Sequence, residues 1–112
     1  MHTMTQELKH QRRWEVIAKK MDIRGFYLDP VFMTSSEGGG IMIVIMGMAY
    51  HFFHEKDKNG HVGKVLYTRQ DPDAPIGDIV IGPRWASEFW KTNKAVANDL
   101  CEIIQDDLNQ MM

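Results

Sequence analysis

From Met4 to Met21 the residues His10, Trp14, Ile17, Ala18 and Met21 recur at three- and four-residue spacing, which places them on one face of a helix. The opposite face gathers Lys9, Arg12, Arg13, Lys19 and Lys20, with Val16 the apolar residue among them. From Gly25 the pattern shortens to apolar stretches broken by turn residues. Phe26, Tyr27, Leu28, Val31 and Phe32 read as a strand, which Pro30 assigns to an edge or a bend because proline lacks a backbone donor. Thr34 to Gly40, ending in three glycines, reads as a loop.

The run Ile41 to Phe53 is rich in β-branched and aromatic residues and predicts a central strand. Asp57-Lys58-Asn59-Gly60 then supplies a turn, and Val62 to Tyr67 returns as the partner strand. Asp71 to Pro75 is an acidic, turn-rich loop, and Asp78 to Ile81 reads as a fourth strand closed by Gly82. Pro83 fits the first turn of a helix that runs to about Asn109, with Trp85, Phe89, Trp90, Val96, Leu100, Ile104 and Leu108 on a broad apolar face. The expected architecture is therefore a single α+β domain over residues 1–112: an N-terminal helix, a four-stranded, mainly antiparallel meander and a long C-terminal helix.

Alternation along the central strand sends Ile41, Ile43 and Ile45 to one face and Met42, Val44 and Met46 to the other. Both sets are apolar, so both faces need cover. Two helices can take one face each, or share one face and leave the second for another copy of the chain.

Composition leaves this picture intact. The chain has 112 residues, 44% hydrophobic and 25% charged, with a net charge of −2, so bulk charge selects no partner. Its single cysteine, Cys101, cannot form an internal disulfide, which favours a reducing, cytoplasmic setting. No secretory signal is expected from the polar first residues, and no membrane span from an apolar run that Gly47 and His51 interrupt.

Candidate chemistry is sparse. His51, His54 and His61 surround the hairpin with Glu55 and Asp57, and such side chains ligate metals; on a strand, however, positions 51 and 54 face opposite sides, so no metal site is expected. Cys101 falls in the apolar arc of the last helix, where a thiol stays protonated. Gly38-Gly39-Gly40 leads into a strand rather than a helix and so lacks the form of a phosphate cradle. Asp71 and Asp73 are expected to make turn hydrogen bonds. Asn93 and Asp107 fall inside the apolar arc and either need partners or mark its wet edge. Met33, Met42, Met46 and Met48 cluster near the sheet, as gap-filling or adaptable contact residues.

Residues 1 to 24 hold six basic residues against three acidic ones, while Asp99, Glu102, Asp106 and Asp107 occupy the C-terminal stretch without Lys or Arg. One helix is basic and the other acidic. No residue motif ties the chain to a known family; the order helix, meander, helix has loose analogues among dimeric secretion-type chaperones at the level of fold alone.

The sequence thus predicts a non-catalytic binding or regulatory protein without cofactor, acting through protein contacts as a homodimer, of the kind frequent among phage and mobile-element accessory genes. Its expected interaction surface comprises Arg12, Arg13, Lys19, Lys20, Trp85, Phe89 and Trp90. A nucleic-acid-associated protein using the basic helical face is the alternative, and a small metal-dependent enzyme using His51, His54 and His61 the third reading.

Overall fold

Residues 6–33, 39–56, 62–71 and 79–111 are described by a computed structural model. The loop Thr34 to Gly38, the turn Asp57 to Gly60, His61 and Asp73 lie outside them. Helix α1 spans Gln6–Lys20 and buries Trp14, Ile17 and Ala18, with Met21 just beyond it also buried. It closes with Met21 N–H donating to the Ala18 carbonyl at 3.2 Å, a tightened last turn, and Lys19 and Lys20 sit where the helix dipole favours cations.

Five strands follow: β1 Val31–Met33, β2 Gly40–Ile45, β3 Met48–Lys56, β4 Val62–Asp71 and β5 Ile79–Glu88. They form an antiparallel meander in the order β1-β2-β3-β4-β5. Helix α2, Asn93–Met111, completes the α+β domain. Its start is capped by Thr92, whose hydroxyl accepts from Ala95 N–H at 3.2 Å.

The sheet corrects the expected strand count from four to five. What reads as one strand from Ile41 to Phe53 folds back at Met46-Gly47, both with positive φ (50° and 78°), the signature of a two-residue type I′ hairpin closed by Ile45 and Met48. A methionine at such a position carries no turn signal, so the apolar run conceals the reversal. The first strand is shorter than expected, Phe26 and Leu28 instead packing against the core from the connection after α1. Gly40 belongs to β2: a Cβ there would lie 2.1 Å from the Phe52 carbonyl oxygen, so the glycine permits β2 to start against β3.

The C-terminal helix begins ten residues later than Pro83 suggests. Pro83 lies in β5, after a cis bond from Gly82, and Gly82 has φ 103° with Tyr67 O 2.6 Å from where a Cβ would stand. Proline suits an edge strand as well as a helical first turn, because neither position needs its missing donor. Trp85 is consequently a strand residue, and Phe89 and Trp90 form the turn into α2.

Both helices cover the same face of the sheet. Ile41, Ile43, Tyr50, Phe52 and Val65 meet Trp14 and Ile17 of α1 and Val96, Leu100 and Ile104 of α2 in one core, all of them fully buried. Each such side chain contributes roughly 1.5–3 kcal/mol by leaving water. Of the two ways to cover an apolar sheet, the chain uses shared cover on one side.

Candidate interaction surface

The second face is built by the alternate residues of the same strands. The register lines them up in three rows: Val31, Met42, His51 and Thr68; Val44, Ala49, Gln70 and Val80; and Met33, Gly40, Phe53 and Leu66, with Trp85 of β5 opposite Leu66. Among the described residues no helix packs on these rows. Val31 is 58% exposed, Val44 64% and Val80 62%. The rows carry no formal charge; Glu55 and Lys64 stand at one end. An interface centre is distinguished by this depletion of charge.

His51 sits within this face, with Met42 on one side, Thr68 on the other and its ring 5.0 Å from Phe53. Burial among these neighbours lowers its pKa below the usual 6.5 and holds it neutral. His54, three residues on, points to the covered face, where its Nδ1 accepts a hydrogen bond from the Trp14 indole at 2.9 Å. The two histidines do not converge, and among the described residues no three metal-ligating side chains gather.

The polar residues of the helical arc have partners. Asp107 accepts from the Tyr50 hydroxyl at 2.5 Å and pairs with Arg69 at 3.0 Å. Burial, then the Asp107 hydrogen bond and charge, push the Tyr50 phenol well above its usual range, so it remains a donor. For Arg69, the lowering effect of burial is outweighed by the hydrogen bonds and charges of Asp107 and Asp71, and its pKa rises. Asp71 thus serves in an ion pair within β4, through two contacts of 3.2 Å. Asn93 accepts from Arg13 Nε at 2.7 Å.

This last contact changes the reading of the basic helix. Arg13 turns inward, donating also to the Phe89 and Lys91 carbonyls, and its guanidinium lies 4.0 Å from the centre of the Phe89 ring. Desolvation lowers its pKa. Arg13 joins α1 to the turn before α2 and is withdrawn from the expected surface, while Arg12, Lys19 and Lys20 remain exposed.

Of the expected aromatic surface, Phe89 is buried at 3% exposure, whereas Trp85 (54%) and Trp90 (75%) face solvent. Cys101 is half-buried, and burial raises its pKa, which disfavours a nucleophilic thiolate. Among the described residues no helix is long and apolar enough to cross a membrane. Comparison with protein-family models, with curated proteins and with solved structures finds no match.

Proposed function

We propose that this is a non-catalytic binding protein that acts through protein contacts in a cytoplasmic setting and works as a homodimer, with the uncovered sheet face as the dimer interface. The observation that carries this reading is the uncovered face itself, three rows of uncharged side chains opposite a fully covered face. A two-fold axis lying in the interface, parallel to the sheet plane, would lay each copy's rows on the other's, so one patch serves twice. With strands about 4.8 Å apart and about 3.3 Å per residue, five strands averaging about eight residues present roughly 600 Å² of plane. Two such faces remove about 1,200 Å², the lower bound for a specific, stable interface.

The dispersal of the candidate catalytic groups supports the non-catalytic part: His51 and His54 diverge, Tyr50 is held protonated by burial and by Asp107, and the Cys101 thiol is pushed up by burial. The nucleic-acid reading loses Arg13 to its contacts with Phe89, Lys91 and Asn93.

Sedimentation equilibrium over a wide concentration range tests the dimer. The native chain is expected to sediment as a dimer, and Val44→Lys, which puts a charge into the row beside the Met46-Gly47 turn without touching the covered face, as a monomer with an unchanged circular dichroism spectrum. A native chain that stays monomeric at the highest concentration overturns the reading.

A further inference from the structure

At the β5 edge of the sheet, beside α2, a groove of about 260 Å³ is lined by Trp85, Ala86, Asp99, Glu102, Ile103 and Asp106. Helical spacing explains the wall: 99, 102, 103 and 106 fall on one stripe of α2. The other side is an indole that is half exposed, although a tryptophan buries well, and it is held by its N–H donating to Glu88 Oε1 at 3.1 Å. Apolar surface on Trp85 and Ala86 therefore faces Ile103 and three carboxylates of α2 across a space the size of one long side chain.

The chain itself shows what chemistry the groove accepts. Lys91, from the turn before α2, places its ammonium 2.9 Å from Asp99 and 5.9 Å from the centre of the Trp85 ring. An ammonium held between a carboxylate and an aromatic face satisfies both ion pairing and the attraction of a cation to the ring. Asp99 also accepts from the Ser87 hydroxyl at 2.6 Å, which fixes the carboxylate against β5. Glu102 and Asp106 are exposed, so among the described residues Lys91 alone places a cation against the three carboxylates along the groove.

We propose that this groove receives a lysine or arginine side chain from a basic segment of a partner protein, which takes the place of Lys91. The aliphatic stem lies along Trp85 and Ile103, and the charged head reaches Glu102 and Asp106 and competes for Asp99. Long cationic side chains bury their stems and keep their heads among charges in this manner. Lys91 acts as a tethered competitor that weakens binding until a partner with more than one cation arrives. Trp85, the register partner of Leu66, borders the third open-face row, whereas the carboxylates and Ile103 belong to α2, and Val44 lies in the row at the opposite end of the face.

The test follows the three indole N–H resonances of the ¹⁵N-labelled protein, assigned by Trp→Phe changes, during titration with a decapeptide of alternating arginine and glycine at low salt. The Trp85 resonance is expected to shift saturably while that of exposed Trp90 stays in place, and a decapeptide of alternating glutamate and glycine is expected to shift neither. Glu102→Lys should weaken binding at least tenfold, whereas Asp29→Lys, an identical charge change beside the far edge strand, should weaken it less than threefold. Lys91→Ala should tighten it several-fold, and Lys94→Ala, an equal charge change on α2, should not. Equal effects of Glu102→Lys and Asp29→Lys, no gain from Lys91→Ala over Lys94→Ala, or an unmoved Trp85 resonance at millimolar peptide would overturn the proposal. The same titration of the Val44→Lys variant separates the two claims, because groove binding is expected there whether or not the chain dimerises.

Discussion

On β2, Ile41, Ile43 and Ile45 are buried beneath two helices, while Val44 between them is 64% exposed. The residues are of one kind, on one strand, and their fates are set by what the rest of the chain brings to each side. On the covered side, polar groups inside the core have been given partners: Trp14 with His54, Tyr50 and Arg69 with Asp107, Ser87 with Asp99. On the uncovered side, His51 and Thr68 stand among valines, methionines and a phenylalanine, and among the described residues no helix lies above them. The covered face is complete within one chain, whereas the other is left open to a partner.

The strongest way to break this comparison is to open the covered face. Trp14→Ala removes the largest fully buried side chain of α1 and leaves the His54 acceptor facing a cavity. It should cost about 3–5 kcal/mol in urea unfolding, far beyond any single change among the exposed valines. A loss below about 1 kcal/mol, the range of surface changes, would mean that the helices are not what stabilises the sheet.

A smaller effect is expected at Asp107. Asp107→Ala strips the Tyr50 hydroxyl of its carboxylate acceptor, leaving the weak Met48 sulfur at 3.6 Å, and Arg69 of one carboxylate, at about 1–3 kcal/mol. Combined with Tyr50→Phe the losses should fall short of additive by at least about 0.5 kcal/mol, because the groups share one network. Strict additivity in the same unfolding experiment would show that the contacts act independently.

The smallest effect belongs to His51. Its folded-state pKa lies below the ordinary 6.5 through burial, so the contribution of the neutral ring is complete above that value and is lost as pH falls through the lowered one. An interface over this face buries the ring further. The dimer dissociation constant should therefore rise by about three- to tenfold between pH 7.5 and pH 5.5, and His51→Gln should flatten that dependence. An unchanged slope in the variant would place the titrating group elsewhere.

Much of the covered face is legible in the sequence. The Trp14-Ile17-Ala18-Met21 spacing gives α1 its buried side, and Val96, Leu100, Ile104 and Leu108 do the same for α2. The alternation of Ile41, Ile43 and Ile45 with Met42 and Val44 shows that two apolar faces exist. It cannot say which face the helices take, since that depends on tertiary packing rather than on local period. The missed elements have local causes. Met46 adopts positive φ without any residue signal, and Pro83 satisfies helix and edge strand equally. Misplacing Pro83 moved Trp85 from β5 to a helix and hid the groove, although Thr92, a capping residue, marks the true helix start. Arg13 is read as surface because its helical position lies at the boundary of the buried stripe, where side-chain length decides the direction.

The two outer strands limit how the sheet can be extended. At one margin β1 offers three residues; at the other, β5 is longer, but its pairing with β4 is interrupted by two irregularities and Pro83 contributes no donor. Short or broken margins of this kind resist the lateral addition of strand upon strand that turns sheets into fibrils. Growth sideways is blocked while attachment across the flat remains open, and a patch that pairs with itself is consumed by a single mate. The shape of the rim thus disfavours growth from the margins and leaves the flat as the surface open to a partner.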